Sequence, residues 1–327
     1  MSRRKIKYLF LVRMRQMSEQ KIPVIIDTDP GIDDAAALAI ALNSQQLDVK
    51  LISAAAGNVG VTRTVENVLR LLTFFDKKIL VAQGAQSPIL RNLETAVDIH
   101  GKNGLGNYQL PAPSSSLLVK ESAVEKIHQI LTESQVKVTL IGIAPLTNYA
   151  LLLKTYPSDI SKIKEFILMG GAWGRGNFNV LTEFNFGVDP EAAKIVIESG
   201  VPVKIAPLEA GRAALIKPEI SNQIKQFGKV GRMFFDLFKT YRGGSFATGL
   251  KIYDALAIGI LLAPEIFESR TVKVKIETSG TYTAGASLFD LKGYLPSNST
   301  TAEVIEKVDE KRFSEWFLTE MSYWKNL

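Results

Sequence analysis

The chain reads as an α/β protein: an open, Rossmann-like fold with a mostly parallel central sheet and helices on both faces. Three observations carry that expectation. Short apolar runs alternate with segments of helical period along most of the 327 residues, the pattern of repeated βαβ units. The first run, Pro23-Val24-Ile25-Ile26, is apolar at successive positions, as in a strand covered on both faces. The expected strand ends also carry polar residues, above all the stretch Lys21–Leu42, where a strand passes into a helix through Asp27, Asp29, Pro30, Gly31, Asp33 and Asp34.

The elements follow in order. After that opening unit, Asp48–Ser53 is a second strand, ending in Ala56-Gly57-Asn58. Val65, Val68, Leu69, Leu72 and Phe75 recur at helical period and predict a helix over 64–75. Lys78–Val81 is a third strand, and residues 94–113 form a Gly- and Asn-rich loop containing His100-Gly101-Lys102-Asn103-Gly104. A helix over 119–131 precedes a strand over 136–141, and the turn Ile143–Asn148 starts another helix. Phe166–Met169 is a strand that runs into Gly170-Gly171 and a long loop to Val188. Asp189-Pro190-Glu191 starts a helix, with Asp as N-cap, Pro at N1 and an acid in the first turn. Pro202–Ala206 is a strand, 217–238 is helical, and Tyr253–Leu262 is an apolar helix after a Gly-rich loop. Thr271–Thr278 alternates like a half-exposed strand with Ala286–Leu291 as its partner, and Arg312–Trp324 closes the chain as an aromatic-rich helix. No repeat or linker interrupts the pattern, so one domain is expected over 21–327, behind a leader at 1–20.

Composition narrows the function classes. There is no cysteine, which excludes disulfides, zinc-thiolate sites and thiol nucleophiles and fits a cytoplasmic protein. No apolar run reaches the roughly 18 residues that span a membrane. The formal net charge is +6, and Arg3, Arg4, Lys5, Lys7, Arg13, Arg15 and Lys21 against Glu19 account for all of it. Residues 22–327 therefore balance to zero, which removes the main support for nucleic-acid binding. Tyr8–Val12 is too short an apolar core for a signal sequence; the leader reads as a disordered basic segment, with Met14 and Met17 as alternative starts.

The chemistry concentrates at the strand ends. Asp27, Asp29, Asp33 and Asp34 lie within eight residues and repel one another unless protons or a cation neutralise them. Pro30-Gly31 turns the chain so that they converge. All-oxygen ligands suit a hard cation, Ca²⁺ or Mg²⁺. An acidic N-cap is the plainer reading, but capping needs one acid rather than four. Asn58, the Ile143 turn, and Asn177, Glu183 and Asn185 stand at other strand ends, where open parallel sheets bind ligands. Amide and carboxylate groups around one cavity suit a polyhydroxylated ligand. Asp254, at a helix start, reads from sequence alone more as a cap than as a ligand.

These residues resemble the inosine-uridine-type nucleoside hydrolases, Ca²⁺-dependent enzymes that hydrolyse ribonucleosides to ribose and free base. The resemblance runs in family order through DTDPGIDDAAAL at 27–38, GN at 57–58, IHGKNGLG at 99–106, APLTN at 144–148, MGGA at 169–172, EFN at 183–185 and DPEAA at 189–193, and covers residues 22–325. It implies the nucleoside hydrolase variant of the open parallel fold, a role in nucleoside catabolism and base salvage, and a homodimer or homotetramer. By the same resemblance, Asp29, Asp34, Asp254 and the main-chain carbonyl of Ile143 hold the calcium, and Asp33 is the base that deprotonates the attacking water. Asn58, Asn177, Glu183 and Asn185 hold the ribose hydroxyls, with Met169 and Phe184 lining that pocket. His100 and Tyr241 lie near the nucleobase.

The chain departs from the family pattern at three places. Ile143 replaces a usual Thr, which matters little where only a carbonyl is needed. Thr283-Ala284-Gly285 lacks an Arg common in relatives and reads as structural. The residue before the late aspartate, commonly His, is Tyr253; a phenol with pKa near 10 is a much weaker acid than imidazolium. Of the two histidines, His128 reads as a surface residue of its helix, which leaves His100 as the histidine for the base. Tyr253 is also the one feature that favours a nucleoside-binding pseudoenzyme of the same fold. The Asp-Thr-Asp run could open a haloacid-dehalogenase-type phosphatase, but that chemistry wants a Gly-Thr turn after the nucleophile, and Pro30-Gly31-Ile32 follows here.

Overall fold

The computed structural model describes residues 21–325; the leader expected over residues 1–20 lies outside them. β1 (Ile22–Thr28) leads into α1 (Ile32–Asn43), β2 (Leu47–Ala54) into α2 (Val61–Phe75), and β3 (Val81–Gln83) into a loop with the one-turn helix α3 (Val97–His100). β4 (Leu118–Ser122), α4 (Ala123–Glu133), β5 (Val138–Gly142), α5 (Thr147–Thr155) and β6 (Ile163–Met169) follow. Next come α6 (Phe184–Val188), α7 (Pro190–Ile197), β7 (Val203–Ala206), α8 (Leu208–Ala213), β8 (Leu215–Ile216), α9 (Pro218–Ile224) and α10 (Gly228–Thr240). The chain closes with β9 (Gly244–Ser245), β10 (Gly249–Lys251), α11 (Tyr253–Leu262), β11 (Phe267–Ile276), β12 (Ser287–Asp290), β13 (Thr301–Val308) and α12 (Glu310–Ser322).

Ten strands form one sheet in the order β12-β11-β13-β7-β6-β5-β1-β2-β3-β4. Every pairing from β4 across to β13 is parallel, and only β11 runs antiparallel to its neighbours β13 and β12. The strand order reverses at β1, with β2 on one side and β5 on the other, which opens a crevice at their carboxyl ends. There Asp27 pairs with Ser53 of β2 and Gly142 of β5. The Ile143 N–H donates to the Asp27 carbonyl at 2.9 Å, carrying the ladder one residue past the strand.

Period-two alternation divides the core between the two faces of the sheet. Val24 and Ile26 join the cluster built with α1, α2, α10 and α11, whereas Ile25 joins the one built with α4, α5 and α7. Two helices matter most for the crevice. α1 is buried from Ile32 to Ala41 and α11 from Asp254 to Ile260; both are Ala-rich and apolar on all sides, and they pack directly on one another. Each carries acids in its first turn, Asp33 and Asp34 on α1 and Asp254 on α11, so their packing brings those acids together. A separate small sheet of β8, β10 and β9 braces the segment between Tyr241 and Tyr253.

The structure revises several expected elements. Residues 119–122 belong to β4, and α4 starts at Ala123 through a capping box: Ser122 Oγ accepts from Glu125 N, and Glu125 Oε2 accepts from Ser122 N. The third strand begins at Val81, although the Leu80 carbonyl already accepts from Ile52 N of β2 at 3.0 Å. The long loop before Asp189 ends in the helical turn α6, capped by Glu183. The helix expected over 217–238 is two helices, broken where Gly228 takes a left-handed φ of 62°. The strand β13, inserted between β7 and β11, has no counterpart among the expected elements.

Asp189, fully buried, caps α7 as expected by accepting from Ala192 N, and also accepts from Ile89 N at 2.9 Å and Thr147 Oγ1 at 2.7 Å. Replacing it orphans three donors at once, so Asp189→Ala is expected to lower unfolding free energy by about 2–4 kcal/mol in urea titrations. A loss under about 0.5 kcal/mol contradicts this role.

Candidate active site

The crevice at the β1–β5 switch is a cavity of about 460 Å³. Twelve of the fourteen residues singled out from the sequence line it; the remaining two, Asp29 and Asp34, lie beneath its floor and are almost fully buried. The Asp33, Asp34 and Asp254 carboxylates each place an oxygen within 4.8 Å of the others. Asp34 is held most firmly: Oδ1 accepts from Thr28 Oγ1 at 2.6 Å and Oδ2 from Gly31 N at 2.8 Å, with Asn58 Nδ2 at 3.2 Å. Asp29 Oδ2 accepts from Asn58 N at 2.6 Å, whereas the buried Oδ1 has no partner among the described residues. Gly57 lets Asp29 lie against the chain, because a Cβ there would collide with its carboxylate.

Burial pushes the pKa of all four acids up. Asp29 and Asp254 rise well above the usual carboxylate range, with neighbouring carboxylates adding to the effect. Asp34 rises through burial and the nearby Asp33, while Asp33 is raised to about 6, burial outweighing the bond from Tyr241. Four buried acids under mutual repulsion, one with an uncommitted oxygen, form a site whose donors fit a hard divalent cation. Ile143, buried, lines the same cavity.

Asp27 stands apart from that cluster. Its Oδ1 accepts from Ser53 and from Asn148 Nδ2, which ties β1 to β2 and α5. Burial raises its pKa to about 7.

The facing wall comes from β6 and the loop behind it. Glu183 accepts from Gly171 N, Asn185 N and Phe186 N, so much of its carboxylate caps α6 and shapes the loop; burial raises its pKa to about 7. Asn177 Oδ1 accepts from Phe184 N, and Asn185 Nδ2 donates to the Met169 carbonyl at 3.0 Å. The opposite polar end of each amide is thereby left for a ligand. Phe184 meets Phe178 edge-on with ring centroids 5.8 Å apart.

Three aromatic residues stand at the upper end. Tyr241, expected near a base, commits its hydroxyl to Asp33 Oδ2 at 2.9 Å and to the Lys251 carbonyl at 3.0 Å. His100 Nδ1 accepts from Ile32 N at 3.1 Å, which places the ring proton on Nε2, and burial lowers its pKa to about 4. It is a neutral hydrogen-bond donor rather than an acid. Burial keeps the Tyr253 phenol neutral as well, against the opposing pull of Arg212. His128 lies away from the cavity, partly exposed, bonded to Asp159 Oδ2 at 2.8 Å and stacked on Tyr156.

The sequence reading passed over Glu94, Asp98, Phe178, Arg242 and Lys251, all of which line the cavity. They sit in loops whose approach is set by tertiary contacts. Only the glycines around 243–249 signalled a close turn there.

Asp27, Asp33 and Glu183 keep protons in the folded chain that the unfolded chain releases near pH 4. Raised folded pKa values in acids mean that the folded state binds the excess protons between about pH 4 and pH 7, and that its stability falls as pH rises through that window. In a chelator, Tm is therefore expected to be higher at pH 5 than at pH 8. A Tm that climbs across the interval contradicts this electrostatic picture.

Comparisons with known proteins identify the family and the fold. The family described as inosine-uridine preferring nucleoside hydrolase matches residues 24–315. A non-specific ribonucleoside hydrolase, RihC, of Salmonella enteritidis PT4 is 41% identical over 302 residues, covering 92% of this chain and 97% of its own. A plant nucleoside hydrolase, PpNRh1, superposes with a TM-score of 0.86 at 26% identity, over 93% of this chain and 99% of its own. The purine-preferring ribonucleoside hydrolase of Gardnerella vaginalis gives 0.86 at 28% identity, over 93% of this chain and 100% of its own. The chain belongs to the inosine-uridine preferring nucleoside hydrolase family.

Proposed function

We propose that the protein hydrolyses the N-glycosidic bond of both purine and pyrimidine ribonucleosides, with calcium at the acid cluster and Asp33 accepting the proton of the attacking water. The observation that carries this reading is the single cavity with buried carboxylates on one wall and the amides of Asn177 and Asn185 on the other. Asp29, Asp34, Asp254 and the Ile143 carbonyl would hold the ion, which supplies Lewis acidity toward water and hydroxyl oxygens.

The chain's own groups do the rest. Asn58, Asn177, Glu183 and Asn185 grip the ribose hydroxyls and fix the sugar, with Met169 and Phe184 packing beside it. Asp33 opens on the cavity with its orientation fixed by Tyr241, and a base whose pKa is raised to about 6 is well matched to neutral operation. As the bond to the base breaks, positive charge grows on the ribose ring, and the surrounding carboxylates stabilise it. The base departs toward Tyr253 and His100, both neutral donors. The neutral charge balance of residues 22–327 accords with a small-molecule substrate, the absence of cysteine with a cytoplasmic setting, and the family resemblance with a homo-oligomer. Residues 21–327 act as one domain in this reading.

One observation favours a second assignment of the base. Asp29 Oδ1 is buried and unbonded among the described residues, whereas Asp33 Oδ2 already accepts from Tyr241. An Asp29 that both ligates the ion and takes the proton would use that oxygen.

Turnover of inosine, adenosine, guanosine, uridine and cytidine is expected, and a calcium chelator is expected to abolish it. No turnover across the panel with calcium present leaves only the binding-protein alternative. Asp33→Asn is expected to lower kcat at least about 100-fold while calcium still binds. If Asp33→Asn keeps most of its activity and Asp29→Asn loses both calcium and turnover, the base is Asp29.

A further inference from the structure

We propose that Gly211, on α8, is a positioning residue for the departing base: its missing side chain is the seat that sets the Tyr253 ring in the cavity. This rests on the hydrolase reading above. A Cβ at Gly211 would fall inside the Tyr253 ring edge, against Cδ1, Cε1 and Cγ. Gly211 does not adopt a left-handed φ, so backbone conformation gives no reason for glycine there. The ring does. Tyr253 lines the cavity, and its phenol makes none of the side-chain hydrogen bonds found among the described residues. The phenol is thus a donor aimed at a ligand, with one wall of its slot made of bare backbone.

The same short helix fixes the ribose side. Glu209 accepts from Trp173 N at 2.8 Å and Gly174 N at 3.2 Å, and Arg212 donates to the Arg175 carbonyl at 2.9 Å. These peptides lead directly to Asn177. Leu208 N donates to the Gly171 carbonyl at 2.9 Å, beside the amide that Glu183 holds. One helix therefore references both the sugar-binding loop and the ring that meets the base, which keeps the spacing between them constant. A hydrogen bond is lost within a few tenths of an ångström beyond about 3.2 Å, so a Cβ that displaces the ring by about 1 Å removes it.

The test compares uridine with 4-nitrophenyl β-D-ribofuranoside, whose leaving group departs as a stable anion without a donor. Gly211→Ala is expected to raise the ratio of nitrophenyl riboside to uridine turnover tenfold or more. Tyr253→Phe is expected to raise the same ratio, and the double variant no further than the larger single effect. A thermal cycle checks the seat independently of turnover. Gly211→Ala lowers Tm by several degrees in the parent but by less than about one degree in a Tyr253→Ala background. If Gly211→Ala alone does not fold, the Tyr253→Ala background restores folding. Equal losses on both substrates, multiplying ratios, or equal Tm losses in both backgrounds overturn the proposal. Failure of the parent to turn over any substrate overturns the hydrolase reading instead, and the thermal cycle still decides the seat.

Discussion

The repulsion among four buried carboxylates is the constraint around which this molecule is arranged. Oxygens of three of them approach within 4.8 Å of one another, a repulsion of roughly 3–4 kcal/mol per ionised pair at an effective dielectric near 20. Part of that cost is offset by structure. Two helix N-termini, those of α1 and α11, point at the acids and favour negative charge. Thr28, Gly31 and Asn58 donate to Asp34 and Asp29. The remainder is what a bound cation would neutralise, and Asp29 Oδ1 has no partner among the described residues.

The fold exists in the form that makes this convergence possible. A parallel sheet whose order reverses at β1 exposes the carboxyl ends of β1 and β5 side by side, which delivers Asp29 and Ile143 to one crevice. Small residues along α1 and α11 let these helices pack closely enough for Asp254 to reach Asp34 across a separation of 220 residues in sequence. Substituting bulk along that interface would act on the acids before it acted on the sheet. On the opposite wall, Glu183 shows the same economy, because the carboxylate at the cavity surface is also the cap that shapes its loop.

Much of this was legible in the sequence, for identifiable reasons. Strands buried on both faces read as apolar runs, and the Asp-rich turn after β1 is too dense in charge to be a cap. Asp189 and Pro190 announced their helix through local chemistry that the structure repeats. The opposite holds where the deciding contact is remote. Tyr241 reaches Asp33 across 208 residues, and no local pattern encodes that bond. The neutral tautomer of His100 follows from the Ile32 amide, 68 residues away. Residues 119–122 form an edge strand although their pattern is compatible with a helix; the Ser122–Glu125 capping box was the local signal for the true start. β13 alternates poorly and is a strand because β7 and β11 flank it on either side.

On the proposed function, the acid cluster is complete only with a divalent cation. Calorimetric titration of the metal-free protein with calcium at pH 7, in two buffers of different ionisation enthalpy, tests it most directly. Carboxylates whose pKa values are raised by burial and by one another release protons when an ion replaces them. The expected result is one calcium per chain with net proton release, diminished in Asp29→Asn and Asp254→Asn. Calcium binding without proton release, or no saturable binding at millimolar calcium, would contradict the account.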